Sequence, residues 1–116
     1  MKIYTSYFAN WRKFPDNAVP ISIARFAAPG WKGLRYEVLA PWNELLILYK
    51  NGEIDEKEFK REFSQYLRAL DQEEVVNQLR ELSGGKDVIL CCYEKRGEFC
   101  HRNIVREWLN GEELGN

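Results

Sequence analysis

The feature that most narrows what this chain can fold into is the unbroken apolar run over residues 88–93, VILCCY. A strand with one wet face alternates apolar and polar residues, whereas a strand covered on both faces reads as a continuous apolar stretch. This run follows one amphipathic segment and precedes another, so it reads as the central strand of a parallel sheet. A helix is predicted just after it, from about residue 99 to residue 110, with Gly111 as its C-cap. The residues between, 94–98, read as a loop.

The rest of the chain agrees with an alternating β and α pattern. Residues 2–7 (KIYTSY) and 20–26 (PISIARF) are β-branched and aromatic and predict two strands. Turn chemistry separates them at Pro15, Asp16 and Asn17, and a loop with Pro29, Gly30 and Gly33 follows. Pro41 suits the first turn of a helix reaching about Tyr49, closed by Asn51-Gly52. Asp55 with Glu58, and Asp71 with Glu74, are capping pairs that open two further helices. Phe59, Phe63, Tyr66, Leu67 and Leu70 form one apolar stripe, and Val75, Val76, Leu79 and Leu82 the next. Gly84-Gly85 stops the second of these helices. The expected architecture is an α/β fold: a small three-layer domain over residues 1–116, with three or four mainly parallel strands flanked by helices and the 88–93 strand in the middle.

Composition sets bounds rather than a function. With 116 residues, 45% of them apolar and 30% charged, the chain is one globular domain able to bury a core without disulfides. A net charge of -1 offers no global basic field, so nucleic acid is not supported as a long footprint, and a short or flipped-out element fits better. No apolar run approaches a membrane span, and the start does not resemble a signal peptide. Cys91, Cys92 and Cys100 are an odd set with two adjacent members, a poor disulfide framework; free thiols and a cytoplasmic location are expected. The alternating charges from Glu53 to Glu62 read as a solvated helix face.

In parallel sheets ligands bind at the carboxyl ends of the strands, so the segment after the central strand is the place to seek chemistry. There Cys92, Glu94, Cys100, His101 and Arg102 crowd together, and His101 is the only histidine of the chain. Cys100, Ile104 and Trp108 form one row of the helix and His101, Val105 and Leu109 the next, so Cys100 and His101 should face the sheet. A helix N-terminus also favours anions and thiolates. Cys91 reads as a packing residue. Several sharper motifs are missing: no arginine stands six residues after either strand cysteine, and there is no C-x-x-C, Walker loop or G-x-G-x-x-G. Zinc on Cys92, Cys100 and His101, with Glu94 as a fourth ligand, is acceptable in ligand type. The spacing matches no standard pattern, however, and neighbouring helical residues point about a hundred degrees apart, so no metal and no cofactor are expected.

The stretch LCCYEKRGEFCHR resembles the signature of domain-of-unknown-function family 488, in which a strand ends in cysteine, a glutamate follows two residues later, and Cys-His-Arg opens the next helix. Cys92, Glu94, Cys100, His101 and Arg102 match in order. The opening IYTSYFAN, and the middle from Leu39 through Pro41 to Leu70, are similar to the YeaO-like branch of that family. The resemblance covers nearly the whole chain and implies a small α/β fold without an established reaction. Many members carry Asp-x-Arg at the end of the second strand; here Ser22-Ile23-Ala24-Arg25 lacks the aspartate.

Three functions follow as expectations. An enzyme would use Cys100 as nucleophile or transition-state donor, with Cys92 beside it and His101 or Glu94 handling protons. Arg25 and Arg102 would hold a phosphate-like group of a nucleotide or nucleic-acid end, with Ser6, Trp31 and Tyr36 completing the ligand-binding set and the aromatic rings stacking on a base. A non-catalytic module would use the same place to bind a small anion or nucleotide. A redox-sensing pair of Cys92 and Cys100 would need their Cα atoms within about 7 Å. Oligomeric state is not set by these residues.

Overall fold

The computed structural model describes residues 1–94 and 99–115. Five strands form one sheet: β1 (Ile3–Tyr7), β2 (Ala18–Ser22), β3 (Leu34–Arg35), β4 (Asp87–Cys92) and β5 (Glu112–Glu113). All neighbouring strands run parallel, in the order β3-β2-β4-β1-β5. The apolar run is therefore central, as its composition requires. The sheet has five strands where three or four are expected. The additional edges, β3 and β5, are only two residues each, too short to leave any periodic signal in the sequence.

Four helices, α1 (Asn43–Lys50), α2 (Glu56–Arg68), α3 (Gln72–Ser83) and α4 (His101–Leu109), contribute to the larger core. Side chains alternate along β4, and this decides where each goes. Val88 and Leu90 join Phe63, Leu67, Val75, Leu79 and Val105 under the helices. Ile89 and Cys91 point to the opposite face and pack with Phe8, Ala18 and Ala24. That second face is covered by a thinner layer, a 3-10 turn over Phe8–Lys13 and the loop bearing Trp31, in place of an α-helix.

Both predicted capping pairs form. Asp55 Oδ1 accepts the Glu58 amide at 2.8 Å and Asp71 Oδ1 accepts the Glu74 amide at 3.2 Å. Several boundaries differ from the expectations. β2 ends at Ser22; the Ile23 amide still donates to the Cys91 carbonyl at 3.0 Å, and Ala24 to Phe26 leave the ladder and reach the sheet's carboxyl edge. α4 begins at His101, and Cys100 is its N-cap with extended backbone at φ -150° and ψ 143°. The helix ends on Asn110, whose φ of 55° takes the left-handed role expected of Gly111. Gly111 is needed for another reason: a Cβ there would lie 2.8 Å from the Ile3 carbonyl oxygen, where the chain turns in to set β5 against β1. Of the expected loop after β4, residues 95–98 lie outside the described residues. Among the described residues no helix is long and apolar enough to cross a membrane.

Candidate functional site

The carboxyl end of β4 and the start of α4 converge on three buried residues, Cys92, Cys100 and His101. Their ligand-type atoms, two Sγ and one imidazole nitrogen, all lie within 4.8 Å of one another. Strand alternation carries Cys92 to the helix side, away from Cys91. The N-cap geometry of Cys100 explains why it meets His101: its extended backbone removes it from the helical row, so the hundred-degree divergence of successive helical residues does not apply. Cys100 Sγ lies 3.9 Å from His101 Nδ1.

Three free thiols are not what the structure holds. Cys92 and Cys100 are joined as a disulfide with Cα atoms 7.5 Å apart, and Cys91 is the free cysteine. The odd count misleads because adjacent strand residues face opposite sides, which leaves one of them free to pair. Cys91 itself is packed as expected. Burial is the main cause that pushes its thiol up to about 12, against smaller lowering influences from Ile21 and Arg102.

His101 is held on both sides. Its Nε2 lies 2.8 Å from the Ile23 carbonyl oxygen, which can only accept, so Nε2 carries the hydrogen and Nδ1 presents its lone pair toward the sulfurs. Its ring meets Phe63 edge-on, with centroids 5.7 Å apart. Burial lowers its pKa to about 4; the Ile23 carbonyl opposes that shift and the Arg102 charge adds to it. At neutral pH it is an uncharged imidazole.

Arg102 is only 1% exposed. Its Nη1 sits 3.3 Å from Cys92 Sγ and also donates to the Glu94 carbonyl oxygen. Nη2 pairs with Glu113 Oε1 at 3.2 Å, and the guanidinium lies over the Tyr7 ring at 5.8 Å. Glu113 also pairs with Arg106 at 2.7 Å and accepts from Thr5 Oγ1 at 2.7 Å. A buried charge needs such partners. Glu113 is the acidic partner of Arg102 that sequence reasoning missed. Its only signal was position, since β5 does not exist until the chain closes against β1.

Cys92 and His101 open onto a cavity of about 120 Å³ that is also lined by Ala24, Arg25, Lys50 and Glu94. Arg25 donates from Nε to the Pro41 carbonyl at 3.2 Å and stands 3.9 Å from Glu37. The acid near Arg25 is thus Glu37, which lies outside the cavity lining. Glu94 Oε2 lies 3.9 Å from Cys92 Sγ. Phe26 (67% exposed) and Tyr93 (47% exposed) also border the cavity.

The other sequence candidates lie elsewhere. Ser6 is fully buried, pairs across the sheet with Cys91 and accepts from Asn10 at 3.1 Å. Trp31 packs on Phe8 at 5.1 Å and donates to the Leu34 carbonyl at 3.1 Å. Tyr36 is buried in the main core with its hydroxyl donating to Gln78. Cys100 is buried behind Cys92 and does not line the cavity. Lys50 was overlooked because it closes α1, far from the signature in sequence.

An all-parallel α/β sheet with a Cys-Cys-His cluster and a buried arginine at its carboxyl edge is the class of protein that these features define. Residues 10–113 match the model of the active DUF488-N3 subclade, and the chain belongs to the DUF488 family. No curated protein and no solved structure matches it.

Proposed function

We propose that this protein is an enzyme acting on the anionic end of a nucleotide, free or at an exposed nucleic-acid end, with Cys92, His101 and Glu94 as its catalytic centre and Cys100 as a positioning residue behind them. The observation that carries this reading is the shared cavity, in which Cys92, His101 and Glu94 meet the cations Arg25 and Lys50. Its place at the carboxyl edge of a parallel sheet supports the reading, as does the description of the matched subclade as active. The space, about 120 Å³, suits a phosphate-sized group rather than a whole nucleotide. The base would lie outside it, on Phe26 and Tyr93, where aromatic faces can stack. Glu94 would carry protons; Cys100 would act through Cys92 and His101. Arg102, tied to Cys92 and Glu113, would be a positioning residue.

The test is an amide-resolved NMR titration of the reduced chain with adenosine monophosphate and with inorganic phosphate. Shifts should gather on residues 24–26, 50 and 92–94. Arg25→Ala and Lys50→Ala should each weaken binding about tenfold, the loss of one charge-assisted contact. No localised shifts, or binding indifferent to both substitutions, would overturn the proposal.

A redox-sensing role has one observation in its favour, the Cys92–Cys100 disulfide, and one against it, a Cα spacing of 7.5 Å that exceeds the expected limit of about 7 Å. It requires a reversible mass change of about two hydrogens and phosphate binding that differs between the two forms. Equal binding in both forms overturns it.

A further inference from the structure

We infer that Cys92, Cys100 and His101 bind one thiophilic divalent ion, zinc being the simplest, when the two thiols are reduced. The inference takes the centre of the enzyme reading and states what it holds.

Three donors of the right type already converge, with their atoms within 4.8 Å of one another. The histidine is prepared for the role. Nε2–H donates to the Ile23 carbonyl at 2.8 Å, which fixes the tautomer and leaves Nδ1 as the metal-facing atom. A carbonyl behind a ligating imidazole is the usual outer-shell support of a metal site. Cys92 Sγ has a comparable support in Arg102 Nη1 at 3.3 Å.

The backbone spacing points the same way. The Cα atoms of Cys92 and Cys100 are 7.5 Å apart. Disulfides ordinarily span about 4.4 to 6.8 Å. Two thiolates on a common tetrahedral ion, each about 2.3 Å from it, hold their sulfurs roughly 3.8 Å apart, which suits the wider span. Two thiolates neutralise the charge of a divalent ion, and the neighbouring Arg102 shares the Glu113 carboxylate with Arg106. Thiolate and imidazole donors select zinc-like ions over magnesium or calcium.

Among the described residues the cluster supplies three ligands, which leaves a fourth position. Cys92 and His101 line the cavity while Cys100 does not, so that position faces the substrate space, with the Glu94 carboxylate 3.9 Å from Cys92 Sγ beside it. An open fourth position is the hallmark of a catalytic rather than a structural site. Binding expels the two thiol protons and forms two S–metal bonds and one N–metal bond, with no change of oxidation state.

The experiment uses the full chain, reduced with a phosphine, stripped of metal under nitrogen and titrated with cobalt(II). One equivalent should produce tetrahedral visible bands and a thiolate charge-transfer band, all abolished by one equivalent of zinc. Cys92→Ser, Cys100→Ser and His101→Ala should each weaken cobalt binding about tenfold or more, while Cys91→Ala should bind as the wild type does. A folded, reduced wild-type chain that shows no charge-transfer band overturns the inference, as does binding that persists unchanged in both Cys92→Ser and Cys100→Ser. Metal binding without any phosphate or nucleotide response would leave the ion site standing and remove the proposed substrate. The reverse result would do the opposite.

Discussion

Arg102 Nη1 lies 3.3 Å from Cys92 Sγ, bringing the second residue of α4 against the last residue of β4. The same guanidinium pairs with Glu113 and is almost fully buried. It therefore couples three elements: the strand that ends at the cavity, the helix that closes it, and the short edge strand.

Removing this charge should be costly. Arg102→Met leaves Glu113 with Arg106 and Thr5 as partners and takes the support from Cys92. Breaking a buried pair costs most where the other charge is left uncompensated; with Arg106 still on Glu113, a loss of about 1 to 3 kcal/mol is expected, that of the lost charged hydrogen bonds. Urea unfolding should report a loss of that order. Arg102→Lys should not restore it, because an ammonium cannot reach the sulfur, the Glu94 carbonyl and Glu113 together. A midpoint shift within error for Arg102→Met would refute the coupling.

Acid should weaken the fold through His101. Its folded pKa is lowered to about 4, against about 6.5 when unfolded. Only the unfolded chain takes up the proton between those values. Its contribution is thus fully present above about pH 6.5 and is lost as pH falls toward 4. The full difference is worth roughly 3 kcal/mol. Urea midpoints of the metal-free, reduced chain across pH 4 to 7 should decline with acid, and His101→Gln should flatten that part of the curve. Parallel curves for the two proteins would contradict it.

Cysteine reactivity should divide by face. After reduction, an alkylating reagent at pH 8 should label Cys92, which lines the cavity, and spare Cys91, whose burial pushes its thiol up to about 12. Peptide mass spectrometry reads this directly. Labelling of Cys91 in the native fold would place the wrong thiol in the cavity.

The turn after α4 should tolerate little change. Gly111→Ala puts a methyl group 2.8 Å from the Ile3 carbonyl oxygen, and relief requires moving backbone. A loss of about 1 to 3 kcal/mol is expected from such overpacking. Asn110→Gly, by contrast, should be neutral or stabilising, because the left-handed backbone there suits glycine. A destabilised Asn110→Gly beside an unaffected Gly111→Ala would reverse the roles assigned to these two residues.

The parts legible in the sequence are those whose physics is local. The apolar run of β4, short and set between two amphipathic segments, reads as a strand buried on both faces. The Asp55 and Asp71 caps announce their helices because each carboxylate bonds an amide three residues on, within reach of any chain that begins a helix there. The signature Cys92, Glu94, Cys100, His101 and Arg102 marked the main cluster of the candidate site, since a strand end and a helix N-cap only eight residues apart in the sequence lie close together. The tertiary structure alone decided the rest. Which cysteine pairs depends on the alternation of β4 and on Cys100 standing outside the helical row. Lys50 and Phe26 come to the cavity from distant segments, Glu37 approaches Arg25 from another, and Glu113 meets Arg102 only when β5 closes on β1. Trp31 and Tyr36 went to packing for the same reason: a ring's destination is set by the neighbours that fold against it, and a single sequence carries no record of those neighbours.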